Sequence, residues 1–255
     1  MSGELSAELV WLCRALKAPS IARALPRLAE RARSEEWSYE RFAEALLGVE
    51  ASSREAHGGE GRIRAARFPA RKTLEEFDFA FAQSAKKTIV LHLGQLDFLA
   101  GKENVLLLGP PGTGKTHLAI ALGIRACLAG HRVLFATATE WVARLAEQKK
   151  HGRLEEEIRR LARYPVLIVD EVGYIPFDPD AANLMFTLVS ARYERASLIV
   201  TSNKPFGEWG GIFGDETTAA AMIDRLVHHA EILSLKGDSY RLRDRDLGRR
   251  PTPTT

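Results

Sequence analysis

Eight consecutive residues carry the most specific chemistry in the chain: Gly109, Pro110, Pro111, Gly112, Thr113, Gly114, Lys115 and Thr116 fit the spacing GxxxxGK[ST]. Glycines in such a run let the backbone fold closely around phosphate oxygens with its N–H groups pointing inward. A helix starting directly afterwards adds partial positive charge at its N-terminus. Lys115 is then set to reach the β- and γ-phosphates of a nucleotide and Thr116 to ligate Mg²⁺, with His117 closing the nucleotide-binding run. Further along, the apolar stretch Val166-Leu167-Ile168-Val169 ends in Asp170 and Glu171. An aspartate at such a strand tip can hold Mg²⁺ through water, and the adjacent glutamate can orient or deprotonate an attacking water. Transfer of phosphate to another substrate has less need of that glutamate, so the pair favours ATP hydrolysis. A third strand-like run, Leu198 to Ser202, ends at Asn203, which can contact the γ-phosphate or the attacking water; a turn before Lys204-Pro205 is the simpler alternative. The run Asn203-Lys204-Pro205-Phe206 lacks the aspartate of a guanine-reading NKxD and gives no case for GTP.

These groups need a scaffold that brings several strand ends together. From Thr73 onward, apolar strands alternate with helices: strands are expected at 104–108, 132–136, 166–170, 198–202 and 231–235, after a helix over 84–99. That alternation predicts an α/β fold with a parallel sheet covered on both faces, and the runs VLLL, VLIV and LIV suit strands buried on both sides. Residues 1–72 read differently. Leu5, Leu9, Leu12 and Leu16 share one helical face, Pro19-Ser20 breaks and restarts the chain, and Ser38 can cap a helix carrying Phe42, Ala45, Leu46 and Val49. His57-Gly58-Gly59-Glu60-Gly61 suggests a flexible joint. The expected division is an N-terminal helical domain for partner or DNA contact over 1–61, a basic linker over 62–83 and an ATPase domain over 84–255.

The whole-chain figures set outer bounds. A length of 255 residues and a charged share of 27% suit a globular protein, and no apolar run is long enough to span a bilayer. The start MSGELSAELV lacks the basic and apolar regions of a secretory signal, so a cytoplasmic protein is expected. Cys13 and Cys127 have no metal-ligand spacing and read as buried reduced thiols. The net charge of +3 permits nucleic-acid binding without demonstrating it.

Taken together, GPPGTGKTHLA, LIVDEVGYIPF, IVTSNKPFGEW, DRLVHHAE and GDSYRLRD resemble the AAA+ ATPases, and within them the IstB/DnaC group, specifically the IstB-like helpers of insertion-sequence transposition. The upstream RAARFPARKTLEEFDF is similar to that family's linker. The resemblance implies a P-loop AAA+ domain that binds ATP and Mg²⁺, self-associates, binds DNA and recruits or stimulates a transposase. It gives Lys115, Thr116, Asp170 and Glu171 the roles above, Asn203 a sensor role, and Arg225, on a late helix, that of an arginine acting on a neighbour's ATP. The chain ends soon after GDSYRLRD, so no sizeable C-terminal lid is expected.

DNA contact has two candidate sites. One is the acid-free stretch Arg62, Ile63, Arg64, Ala65, Ala66, Arg67, Phe68, Pro69, Ala70, Arg71 and Lys72; the other comprises Arg241, Arg243, Arg245, Arg249 and Arg250, diluted by Asp238, Asp244 and Asp246. Each cation could neutralise a phosphate, and with no base-reading helix in view the contacts are expected mainly on the backbone, with weak sequence preference. Trp141, Trp209, Tyr174 and Phe177 suit either a partner surface or the core. Alternatives are a DnaC-like replicative helicase loader, a small-molecule P-loop kinase, and a nucleotide-gated scaffold that does not hydrolyse ATP.

Overall fold

The computed structural model describes residues 5–240 and 243. The chain divides into two compact units, 1–61 and 62–255.

The first unit is helical: α1 (Ala7–Ala15), α2 (Pro19–Ser34) and most of α3 (Tyr39–Ala65). The Ser38 hydroxyl accepts from the Arg41 amide, as the sequence pattern suggests, and Ser6 caps α1 by accepting from the Leu9 amide. The start of α2 has no cap of its own. Instead the buried Glu50 carboxylate, from α3, accepts from the Ser20 amide at 2.9 Å and from Arg54 Nε at 2.9 Å. The leucine face of α1 is only partly covered: Leu12 and Leu16 are exposed, together with Trp11. The HGGEG run does not lie between elements but inside α3. Each glycine costs a helix about 1 kcal/mol relative to alanine, so this is a weak stretch of a continuous helix rather than a break.

The second unit contains a five-stranded, all-parallel sheet in the order β2-β3-β4-β1-β5. Its strands are β1 (Asn104–Leu108), β2 (Val133–Thr137), β3 (Val166–Val172), β4 (Ser197–Ser202) and β5 (Ala230–Ser234). All five fall within two residues of their expected positions. The side-chain period of two sorts each strand into two cores. Val105, Leu107, Ile168 and Ile199 face α6 (Lys115–Leu128) and residues 63–99. Leu106, Leu167, Val169, Leu198 and Val200 face α7 (Ala138–Lys150), α9 (Pro179–Arg192), α10 (Gly210–Phe213) and α11 (Glu216–Val227). The short α8 (Leu154–Leu161) precedes β3.

The helix expected over 84–99 is broken. It runs as α4 (Lys87–Leu93) and α5 (Asp97–Ala100), interrupted where Leu96 takes a left-handed φ of 71°. The segment read as a basic linker carries core residues: Ile63, Ala66, Leu74 and Phe77 are buried. Phe68 packs edge-on against Phe135 at 6.1 Å, and the Ala66 carbonyl accepts from the Phe135 amide, covering the free edge of β2.

At the N-terminal ends of β3 and β4, the buried Arg192 guanidinium donates to the carbonyls of Leu161, Tyr164, Pro165 and Ser197. Burial draws its pKa down to about 10, so it remains charged at neutral pH. Both cysteines are buried and free, and burial pushes the Cys127 thiol up to about 11. Among the described residues no helix is long and apolar enough to cross a membrane. No α-helix follows β5 among them either.

Candidate functional site

In a sheet of this order the chain leaves β1 towards β2 and leaves β4 towards β5, so a crevice opens at the carboxyl ends of the central strands. The glycine-rich run occupies that crevice between β1 and α6. Gly109 (φ 144°) adopts a conformation closed to other residues, and a Cβ there would lie 2.0 Å from the Leu235 carbonyl oxygen. Gly114 (φ 96°) turns the chain into α6, and a Cβ there would strike Phe77 at 2.6 Å. The loop is tied to the sheet by the Gly109 amide, which donates to the Ser202 carbonyl at 3.1 Å. Internally, the Thr113 hydroxyl donates to the Pro110 carbonyl at 2.8 Å. Lys115 Nζ donates to the carbonyls of Gly109 and Pro110 at 2.6 and 2.7 Å, which holds the ammonium inside the loop. Pro111 and Gly112 form its outer bend, and Gly112 accepts from the Tyr240 amide at 3.0 Å. His117 Nε2 donates to the Thr73 carbonyl at 2.7 Å, with its ring edge-on to Phe77.

β3 supplies the acidic pair, and its geometry separates the two carboxylates. Asp170 is buried. The Thr116 and Thr201 hydroxyls both donate to its Oδ1, at 2.9 and 2.5 Å, and neither uses Oδ2. Burial raises the Asp170 pKa above the usual carboxylate value, against the pull of the two hydroxyls and of Lys115. A buried carboxylate beside a threonine hydroxyl is an all-oxygen donor set, which suits Mg²⁺. Directly after Asp170 the pairing with β4 slips: Val169 pairs with Val200 but Val172 with Ser202, which leaves one extra residue in β3. This bulge falls on Glu171, whose φ is 62°. A non-glycine residue in that region costs on the order of 1 kcal/mol, and such strain concentrates at functional sites. Thr201 supports the bulge, because its Oγ1 accepts from the Glu171 amide at 2.9 Å. The result is a buried Asp170 and, one residue on, an exposed Glu171.

The cleft beside this pair has a volume of about 880 Å³, and its lining includes Thr116, Asp170 and Glu171 together with Arg67, Arg144 and Arg160. Arg144 and Arg160 converge on the buried Glu157 at 2.6 and 2.7 Å, an ion triad that the sequence pattern did not signal. Asn203 follows β4, and its Oδ1 is buried with no hydrogen-bond partner among the described residues. Arg225 lies elsewhere on α11, its guanidinium over the Phe186 ring at 4.6 Å and donating to the Ala221 carbonyl. It touches none of the phosphate-loop groups among these contacts.

Several residues near the loop have roles the sequence reading missed. The Arg243 guanidinium pairs with Asp78 at 2.7 Å and lies over Phe81 and Tyr240, so the segment after β5 packs on residues 78–81 and on Gly112. Of the two basic clusters, Arg64, Arg67, Arg71 and Lys72 are exposed, whereas Arg62 donates to the Cys127 carbonyl and Phe68 belongs to the core. In the second cluster Arg243 is engaged as above, and Arg241, Arg245, Arg249 and Arg250 lie outside the described residues. Trp141 and Trp209 are fully buried, Phe177 packs on Phe213, and Tyr174 is exposed.

The fold and loop have counterparts among known proteins. The chain is 18% identical to the DnaC helicase loader, with a TM-score of 0.52 over 69% of this chain and 99% of that one. It is 20% identical to AMPPCP-bound DnaA from Aquifex aeolicus, with a TM-score of 0.56 over 69% of this chain and 54% of that one. These likenesses establish an AAA+ P-loop fold. In sequence it is 45% identical to the protein of Pseudomonas aeruginosa named for ATP binding in insertion sequence IS21, over 93% of this chain and 90% of that one. It is 43% identical to the corresponding IS5376 protein of Geobacillus stearothermophilus, over 92% and 94% of the two chains. The family model described as IstB-like ATP binding protein matches residues 12–248. With its glycine-rich loop seated at the carboxyl ends of a parallel sheet, the chain belongs to the family of IstB-like ATP-binding proteins.

Proposed function

We propose that this chain is an Mg²⁺-dependent ATPase that, loaded with ATP, assembles on DNA and recruits or stimulates a transposase. The bulge at Glu171 carries the hydrolytic part of this reading. It sets a strained, exposed carboxylate one residue beyond the buried Asp170. Amides of Gly112, Thr113, Gly114 and Lys115 bind the phosphates, and Lys115 exchanges its two loop carbonyls for phosphate oxygens. Thr116 and Asp170 hold Mg²⁺, which on binding neutralises phosphate charge. Glu171 orients the attacking water and takes its proton. Asn203 acts as the sensor: its amide oxygen, which is buried without a partner among the described residues, accepts from the attacking water, and its amide NH₂ donates to the γ-phosphate. Arg225 acts across a subunit boundary on a neighbour's nucleotide.

DNA contact is assigned to the exposed Arg64, Arg67, Arg71 and Lys72, acting on phosphates with little sequence preference. The insertion-sequence context of the named relatives supports a transposase as partner. The exposed Trp11, Leu12 and Leu16 of the N-terminal unit offer an apolar face for such a contact. The decisive experiment measures ATPase rate with and without duplex DNA and sediments the same samples in ATP. Large assemblies requiring both ATP and DNA, with altered turnover, are expected. A monomer whose turnover ignores DNA would refute the assembly and the role of Arg225 together.

A further inference from the structure

Outside the nucleotide site, one cluster brings three metal-competent side chains to a single point. Glu194 lies in the turn between α9 and β4, His228 caps the end of α11, and His229 leads into β5. Their ligand atoms all lie within 4.8 Å of one another, and all three residues are exposed. Glu194 Oε1 is 3.7 Å from His228 Nδ1 and 3.8 Å from His229 Nε2. Both distances exceed a hydrogen bond. They lie close to the separation of about 3.3 Å between neighbouring ligand atoms of a tetrahedral ion with bonds near 2.05 Å.

The backbone under each ligand is fastened separately. The His228 amide donates to the Asp224 carbonyl at 3.1 Å, and the His229 carbonyl accepts from the Asn104 amide at 2.8 Å. The Glu194 turn is closed by the Arg195 and Ala196 amides donating to the Arg192 carbonyl, and the Arg192 guanidinium is itself buried among carbonyls. Glu194 has a left-handed φ of 56°, which sets its side chain off the line of α9. Closing the remaining gap therefore needs only side-chain rotation at exposed positions. The Tyr193 hydroxyl, 2.9 Å from His228 Nδ1, competes for the nitrogen that faces the carboxylate.

We infer that Glu194, His228 and His229 form a binding site for a borderline divalent cation of the Zn²⁺ class, with water completing the coordination. Two imidazoles and one carboxylate select such an ion over Mg²⁺, which prefers oxygen ligands. The site is thus chemically distinct from the one at Thr116 and Asp170. A bound ion ties the α9–β4 turn to the end of α11, the helix that carries Arg225.

The test is calorimetric titration of untagged, nucleotide-free protein with Zn²⁺ at neutral pH, with Co²⁺ absorption as a spectroscopic probe of coordination. One ion per chain is expected, together with a Zn²⁺-dependent rise in melting temperature. His228→Ala, His229→Ala and Glu194→Gln, all at exposed positions and checked for folding by circular dichroism, should each weaken binding by about tenfold or more. Tyr193→Phe removes the competing hydroxyl and should bind at least as tightly as the unaltered chain. Absence of Zn²⁺ binding, one-to-one binding that survives in the His228→Ala/His229→Ala double variant, or weakened binding in Tyr193→Phe would each overturn the assignment.

Discussion

Thr201 offers the sharpest perturbation, because one hydroxyl serves both acidic residues. Its Oγ1 donates to Asp170 Oδ1 at 2.5 Å and accepts from the Glu171 amide at 2.9 Å. Thr201→Val keeps the shape and removes both bonds. The bond to the carboxylate is worth about 1.5–3 kcal/mol, and leaving a part-buried amide without its acceptor costs about 1 kcal/mol more. The sum is roughly 3 kcal/mol, and at about 2–4 °C per kcal/mol for a domain of this size the melting temperature should fall by roughly 6–12 °C. Thr201→Ser retains the hydroxyl and loses one methyl, about 1 kcal/mol. The functional consequence is separable. Without its support the bulge no longer sets Glu171, and displacement of a positioned group by about 1 Å can cost up to 10²-fold in rate. The assays are thermal unfolding and steady-state ATP hydrolysis, with nucleotide binding measured in parallel. Valine is expected to reduce turnover well below serine while both bind ATP. If valine and serine match in melting temperature and turnover, Thr201 does not support the acidic pair and the reasoning fails.

Three further outcomes follow from the same geometry. Glu171→Gln keeps the bulge and the loop, so ATP binding measured by calorimetry should persist while kcat falls by about 10²–10⁴-fold; wild-type turnover would remove Glu171 from the chemistry. Gly123→Ala puts a Cβ 2.8 Å from both Ile168 Cδ1 and Phe68 Cζ, so an overpacking cost of about 1–3 kcal/mol, less about 1 kcal/mol of helix propensity, should lower stability in chemical denaturation. Asp170 has its folded pKa raised by burial. Between its unfolded and folded values the native state holds a proton that the unfolded chain releases, so this residue's contribution to stability falls as pH climbs through that window. Mg²⁺ requires the carboxylate, so the Mg²⁺-induced rise in melting temperature should be larger at neutral pH than in mild acid. Asp170→Asn should abolish that difference, and a pH-independent Mg²⁺ effect in the unaltered chain would contradict it.

Much of this architecture is legible in the residues because its determinants are local. Runs such as Val105 to Leu108 and Val166 to Val169 have no polar alternation and are short, which suits a strand covered on both faces. Gly109 and Gly114 mark backbone that other residues cannot adopt. What pattern reading missed depends on contacts distant in sequence. Nothing in VLIVDEV announces a bulge, since it arises from a register slip against β4. His57 to Gly61 looks like a joint from composition, yet the helix continues because its ladder is already propagating on both sides. Phe68 stands among cations in sequence and is drawn into the core by Phe135 and the space over Gly123. Trp141 and Trp209 fit a surface or a core equally well as letters; the carbonyls of Ile168 and Lys204 accept their indole N–H groups and make burial tolerable.

The Arg192 staple has a consequence for how this protein responds to salt. Its charge is balanced by four carbonyl dipoles rather than by an acidic side chain, and it is buried beneath the sheet. Mobile ions screen charges they can approach, and they cannot approach this one. The fastening at the foot of β3 and β4 is therefore indifferent to ionic strength, whereas contacts between exposed arginines and nucleic-acid phosphates weaken steeply with it. A salt series on this molecule should separate surface association from integrity of the sheet: the first is titrated away while the second holds.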